Sequence, residues 1–140
     1  MYASAQRGDM SLTLAMLQID NFDQLTVDYG IEASNQALKT IARLLQTELR
    51  KNDVVARYNA GTFVALASNV GDHNAIMVLE RIRQIIAKTP VHCGSSVLNI
   101  TGSIGATTYP DETFVAMIGN AQESLRQAIE DGENSVVVSN

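Results

Sequence analysis

Residues 50–67 read RKNDVVARYNAGTFVALA. Val54, Val55 and Tyr58 stand before a short polar turn, and Phe63, Val64, Ala65 and Leu66 follow it. Asn59 and Gly61 supply the unusual backbone angles that a tight turn needs, so the stretch reads as a β-hairpin with strands near 54–58 and 63–68. Whether the turn Asn59-Ala60-Gly61-Thr62-Phe63 does chemistry depends on what surrounds it.

Upstream, residues 11–19 (SLTLAMLQI) are a continuous apolar run of strand length ending at Asp20-Asn21, the pattern of a strand buried on both faces. From Glu32 to Leu49, apolar Ala37, Leu38, Ile41, Ala42, Leu45 and Leu49 recur at three- and four-residue steps, which is an amphipathic helix. His73 to Lys88 repeats that pattern and stops near Pro90. Residues 96–109, rich in β-branched and polar side chains with Gly102 and Gly105, read as one long strand. Residues 111–130 are helical by Phe114, Met117, Ile118, Ala121, Leu125 and Ala128, and Asp131-Gly132 closes that helix before a terminal strand at 135–138. The order β-α-β-β-α-β-α-β makes a mixed α/β sandwich of one domain, residues 1–140.

Bulk properties narrow the function. With 140 residues, 46% of them hydrophobic, the chain can bury a core. No stretch has the roughly 20 apolar residues of a membrane span, and the first nine residues lack a signal pattern. The lone Cys93 excludes an internal disulfide, and His73 and His92, read as loop residues, give no metal-ligand spacing. A cytosolic location is expected. The net charge of -5 argues against a nucleic-acid backbone as partner, whereas a small anionic nucleotide needs only a few local arginines. Met16, Met77 and Met117 fall inside apolar patterns and are expected to fill the core.

The placed elements resemble the GGDEF domain, the diguanylate cyclase family that condenses two GTP molecules into cyclic di-GMP. LQIDNFDQLTVDYG (17–30) is similar to the family's opening strand and loop, with Phe22, Tyr29 and Gly30 in place; RKNDVVARYNAGTF resembles R-x-x-D followed by the signature turn G-G-D/E-E-F. TGSIGA (101–106) resembles T-x-S-I-G-x, and AQESLRQAIEDGENSVVV resembles the closing segment. The resemblance implies a central, mostly antiparallel five-stranded sheet flanked by helices, similar to the nucleotide cyclase and polymerase palm. The family's upstream helix and L-T-G-L-x-N-R segment do not precede the first strand here. The chain is therefore expected to be a piece of a longer multidomain bacterial protein, with an EAL-type or sensor domain as neighbour.

By the same resemblance, the magnesium-holding carboxylates fall on Gln18 and Gly61, an amide and a glycine. Asn59 and Ala60 replace the turn glycines, Thr62 replaces the next acid, and only Phe63 is retained. The guanine-reading positions fall on Thr26 and Asn35, and the phosphate-contacting ones on Ile129 and Glu133. Asp20 and Asp23 remain nearby, but Asp20, two places along the strand from Gln18, cannot simply replace it. The expectation is a degenerate domain that is not an enzyme and holds no magnesium or other cofactor. Arg50-x-x-Asp53 matches the family's product-binding site, and Arg81 falls where the family has a further product-contacting arginine. Arg can fork onto a guanine edge or a phosphate, and Asp can accept from ring N–H groups. Against this stand a chance Arg/Asp spacing and a basic helix face carrying both Arg81 and Arg83. Three readings stay open: a receptor for cyclic di-GMP at Arg50 and Asp53, a nucleotide-free interaction or dimerisation scaffold, and a residual GTP-binding regulator.

Overall fold

A computed structural model describes residues 12–51, 53–68, 72–108 and 113–139. Its main sheet has the order β2-β3-β1-β6-β7. Strand β1 (Leu12–Ile19) lies at its centre, antiparallel to β3 (Thr62–Ser68) and to β6 (Gly102–Thr108). Strand β2 (Val54–Asn59) pairs antiparallel with β3, and β7 (Val136–Ser139) runs parallel to β6. The mostly antiparallel five-stranded sheet is thus as expected.

The continuous apolar run of β1 is explained by burial on both faces. Ala15, Leu17 and Ile19 pack with Ala37, Ile41 and Leu45 of helix α2 (Ile31–Glu48) and with Leu79, Ile82 and Ile86 of α3 (Asp72–Lys88). Leu12, Leu14 and Met16 point the other way, onto Met117, Ala121 and Leu125 of α4 (Phe114–Glu130). A Cβ built on Gly105 would lie 1.9 Å from the Leu125 backbone nitrogen, so glycine is what allows α4 to seat against β6.

Several expectations needed correction. Residues 96–109 are not one strand. β5 (Ser96–Asn99) pairs with β4 (Pro90–Cys93) in a separate two-stranded sheet, and Ile100–Thr101 lead from it into β6. The β-branched run hides this break because both halves favour extended backbone. Residues 22–29 form a short helix, α1, none of whose residues is buried, which is why no apolar stripe announced it. Ser11, Tyr109 and residues 111–112 of the expected elements lie outside the described residues. His73 belongs to α3 and His92 to β4, not to loops. Met16 and Met117 are core residues, but Met77 is 58% exposed because it sits on the outer side of α3.

Candidate functional site

Two concavities carry the residues singled out in the sequence. The first lies at the C-terminal end of β1. The hairpin turn is intact: Gly61 has φ +77°, and its carbonyl accepts the Ile19 N–H (2.9 Å), fixing the turn to the end of β1. Phe63 is buried in the core, and Arg57 stacks over its ring at 5.9 Å. Gln18, Asn21, Phe22, Asp23, Gln24, Asn59, Ala60, Thr62 and Glu133 line a cleft of about 440 Å³. Thr26 lies outside this lining; its hydroxyl is hydrogen-bonded to that of Ser34.

Asp20, next in sequence to the cleft-lining Asn21, is 7% exposed, and both of its oxygens accept hydrogen bonds. Ser103 Oγ donates to its Oδ1 (2.6 Å), while Thr101 Oγ1 (2.6 Å) and the Asn134 N–H (2.9 Å) donate to Oδ2. Glu133 and Asn134 both have positive φ, 65° and 47°; the Asp20 carboxylate holds the Asn134 N–H, and the Ala128 carbonyl accepts the Glu133 N–H (3.1 Å). Arg83 reaches across from α3 to donate to Asn134 Oδ1 (2.9 Å), and its hydrogen bond to Glu80 raises its pKa. Sequence reasoning missed this clamp. Thr101, Ser103 and Asn134 lay in the quoted segments, but nothing local to them announces Asp20 as their partner.

The resident metal that the resemblance implies does not fit these residues. Gln18 offers an amide, Gly61 has no side chain, and both Asp20 oxygens are taken by donors. Among the described residues, no group of three His, Cys, Asp or Glu side chains is arranged to hold a metal ion.

The second concavity lies where α2 hands over to β2. A groove of about 380 Å³ is lined by Gln46, Leu49, Arg50, Lys51, Asp53, Val54 and Val55. The Asp53 side chain is 3% exposed and the Arg50 side chain 58%. Asp53 Oδ2 accepts the Arg50 backbone N–H (2.8 Å) and lies 3.8 Å from Arg50 Nε. Asp53 Oδ1 is buried with no hydrogen-bond partner among the described residues. An unsatisfied buried acceptor costs on the order of 1–3 kcal/mol, which a donor brought to this oxygen would recover. Arg81 is brought to the same end of α2, where its guanidinium pairs with Glu48 (Nη2 to Oε1, 2.8 Å). Of the predicted residues, Arg50 and Asp53 thus line one groove, while Arg81 stands outside its lining, paired with Glu48.

Among the described residues no helix is long and apolar enough to cross a membrane. The family model described as "Diguanylate cyclase, GGDEF domain" matches residues 1–135. The chain is 34% identical over 137 residues to diguanylate cyclase DgcP of Pseudomonas aeruginosa, covering 97% of this chain and 20% of that protein. To diguanylate cyclase A of Treponema denticola it is 28% identical over 131 residues, covering 92% of this chain and 35% of that one. The chain thus spans a fifth to about a third of these relatives. Among solved structures, diguanylate cyclase SiaD of Pseudomonas aeruginosa, in complex with its activator SiaC, superimposes with a TM-score of 0.91 at 30% identity. The match covers 99% of this chain and 54% of that one.

These relatives overturn the expectation that the chain is not an enzyme: proteins matched along nearly its whole length are named diguanylate cyclases, which points to enzyme activity. That expectation rested on substitutions at the metal, turn, guanine-reading and phosphate-contacting positions. An activity belongs to the assembled cleft, and oxygen-bearing side chains of Gln18, Asp23, Asn59, Thr62 and Glu133 still line it. Both the architecture and a family match from residue 1 to residue 135 lead to one assignment: the chain belongs to the GGDEF diguanylate cyclase family.

Proposed function

We propose that this chain is the GGDEF portion of a cyclic di-GMP signalling protein, and that the groove between α2 and β2 binds cyclic di-GMP. The observation that carries this reading is the unpartnered Oδ1 of Asp53, a residue that lines the groove with two cations, Arg50 and Lys51. A guanine edge brings N–H donors for the carboxylate and the O6/N7 acceptors that a guanidinium forks onto; the phosphates bring the negative charge. Arg50, whose side chain is exposed, can swing from Asp53 onto the ligand. Because the groove's own cations carry the charge, binding proceeds without a metal. The chain spans a fifth to about a third of these relatives, which is in keeping with a longer parent protein.

Calorimetric titration of cyclic di-GMP into the chain tests this reading. Saturable binding that is unchanged by EDTA is expected. Absence of heat at high micromolar ligand overturns the reading and favours a nucleotide-free scaffold, to be sought as self-association or capture of a neighbouring domain. The names of the relatives support diguanylate cyclase activity as a second reading, located at the β1 cleft. Incubation with GTP and Mg²⁺ followed by chromatography tests it: cyclic di-GMP above blank supports this second reading despite the missing carboxylates at Gln18 and Gly61. No product above blank removes that second reading and leaves the first standing.

A further inference from the structure

Glu48 is the last residue of α2, a position where the helix macrodipole disfavours a carboxylate. It is held there by Arg81, reaching over from α3, whose Nε (3.1 Å) and Nη2 (2.8 Å) both donate to Glu48 Oε1. The Glu48 side chain is only 18% exposed while that of Arg81 is 62% exposed, so the carboxylate is the fixed partner and the guanidinium the movable one. The next residue, Leu49, lines the groove with Arg50 and Lys51. Together these place a carboxylate one residue from the lining of a cationic groove, paired with an arginine that stands outside that lining.

We infer that Glu48 is an affinity-setting residue of the groove, a latch that holds Arg81 away from the ligand; this rests on the reading that the groove takes cyclic di-GMP. A phosphate entering the groove draws Arg81 off Glu48 and leaves that carboxylate uncompensated at the negative end of α2. The ligand therefore binds against the strength of the ion pair. An exposed pair of this kind contributes about 0.2–1 kcal/mol, equivalent to a factor of roughly 1.4 to 5 in affinity.

Calorimetry with cyclic di-GMP on the wild type, Glu48→Gln, Arg81→Ala and the double variant tests the latch, with thermal melting confirming that each is folded. Glu48→Gln is expected to bind about twofold to fivefold tighter, and Arg81→Ala more weakly than wild type. In the Arg81→Ala background, Glu48→Gln is expected to give no gain. Wild-type binding with unchanged or weaker affinity in Glu48→Gln overturns the latch. So does an equal gain with and without Arg81, which would make Glu48 a plain repelling charge. Absence of binding in all four proteins instead overturns the reading of the groove, and the latch with it.

Discussion

Asp20 and Asp53 are both buried carboxylates at the edge of a concavity, yet the fold satisfies them differently. Asp20 takes donors from Thr101, Ser103 and the Asn134 backbone, so both of its oxygens are occupied by the protein itself. Asp53 takes one backbone donor on Oδ2 and leaves Oδ1 without a partner. A carboxylate whose hydrogen bonds are complete has little to offer a ligand and much to offer the fold. One left half-satisfied in a cationic groove has the reverse character. The contrast extends to the surroundings. Among the described residues the polar lining of the β1 cleft consists of amides, Thr62, Asp23 and Glu133, with no Lys or Arg, whereas the α2–β2 groove carries Arg50 and Lys51. Burial of an acid near a pocket is therefore a poor guide to its role until its donors have been counted.

The largest effect that would break this contrast lies in stability. Asp20→Ala strands the Thr101 and Ser103 hydroxyls and leaves the Asn134 N–H only its longer bond to Ser103 Oγ, and is expected to cost about 3 kcal/mol in urea unfolding. Asp53→Ala loses one hydrogen bond but also removes an unpaired buried oxygen, so it should cost less than about 1 kcal/mol. Equal losses at the two positions would erase the distinction.

The same pair of regions separates in binding. Arg50→Ala removes a charge-assisted contact to the ligand and is expected to weaken cyclic di-GMP affinity roughly tenfold to a hundredfold, equivalent to about 1–3 kcal/mol. Asp53→Ala should weaken it too, while Gln18→Ala in the other cleft should leave it unchanged. A calorimetric series over these three variants checks the ordering.

Smaller again is the turn. Gly61→Ala is strained by its φ of +77° and places a Cβ 2.9 Å from the Phe22 ring, so a loss of about 1–2 kcal/mol in unfolding free energy is expected. Cyclic di-GMP affinity should not follow that loss, because the turn belongs to the β1 cleft and not to the groove.

The smallest effect calibrates exposed charge far from both aspartates. On α4, hydrogen bonding to Arg126 lowers the Glu123 carboxyl below its ordinary 4.5. A lowered carboxylate pKa contributes stability above the unfolded-state value and loses it as pH falls through the folded-state one. Arg126→Ala should therefore shift the urea midpoint slightly at pH 7, and the difference should disappear at pH values below the folded-state pKa. Glu123 is fully exposed, so any shift at pH 7 should be small.

What the sequence disclosed and concealed follows from range. The β1 run, the hairpin and the three long amphipathic helices were legible because their signals are local: apolar runs, three- and four-residue steps and turn residues. The α1 helix was not, since it buries none of its residues and so carries no stripe. Nor was the break at Ile100–Thr101, because pairing of β5 with β4 and of β6 with β1 is decided by tertiary contacts. The same holds at the sites. Arg50 and Asp53 are three apart and could be read as a pair. The donors to Asp20 stand 81, 83 and 114 residues away, and Arg81 lies 33 from Glu48. No local periodicity marks such partners, and opposite charges at those separations are too common to single out.

The most direct measurement of the central claim is heteronuclear NMR of the isotopically labelled chain during titration with cyclic di-GMP in EDTA, mapping which amides shift. The account predicts saturable shifts at residues 49–55 and around Arg81, with Gln18, residues 59–62 and Glu133 unmoved. Shifts concentrated at the β1 cleft with a silent α2–β2 groove would contradict it.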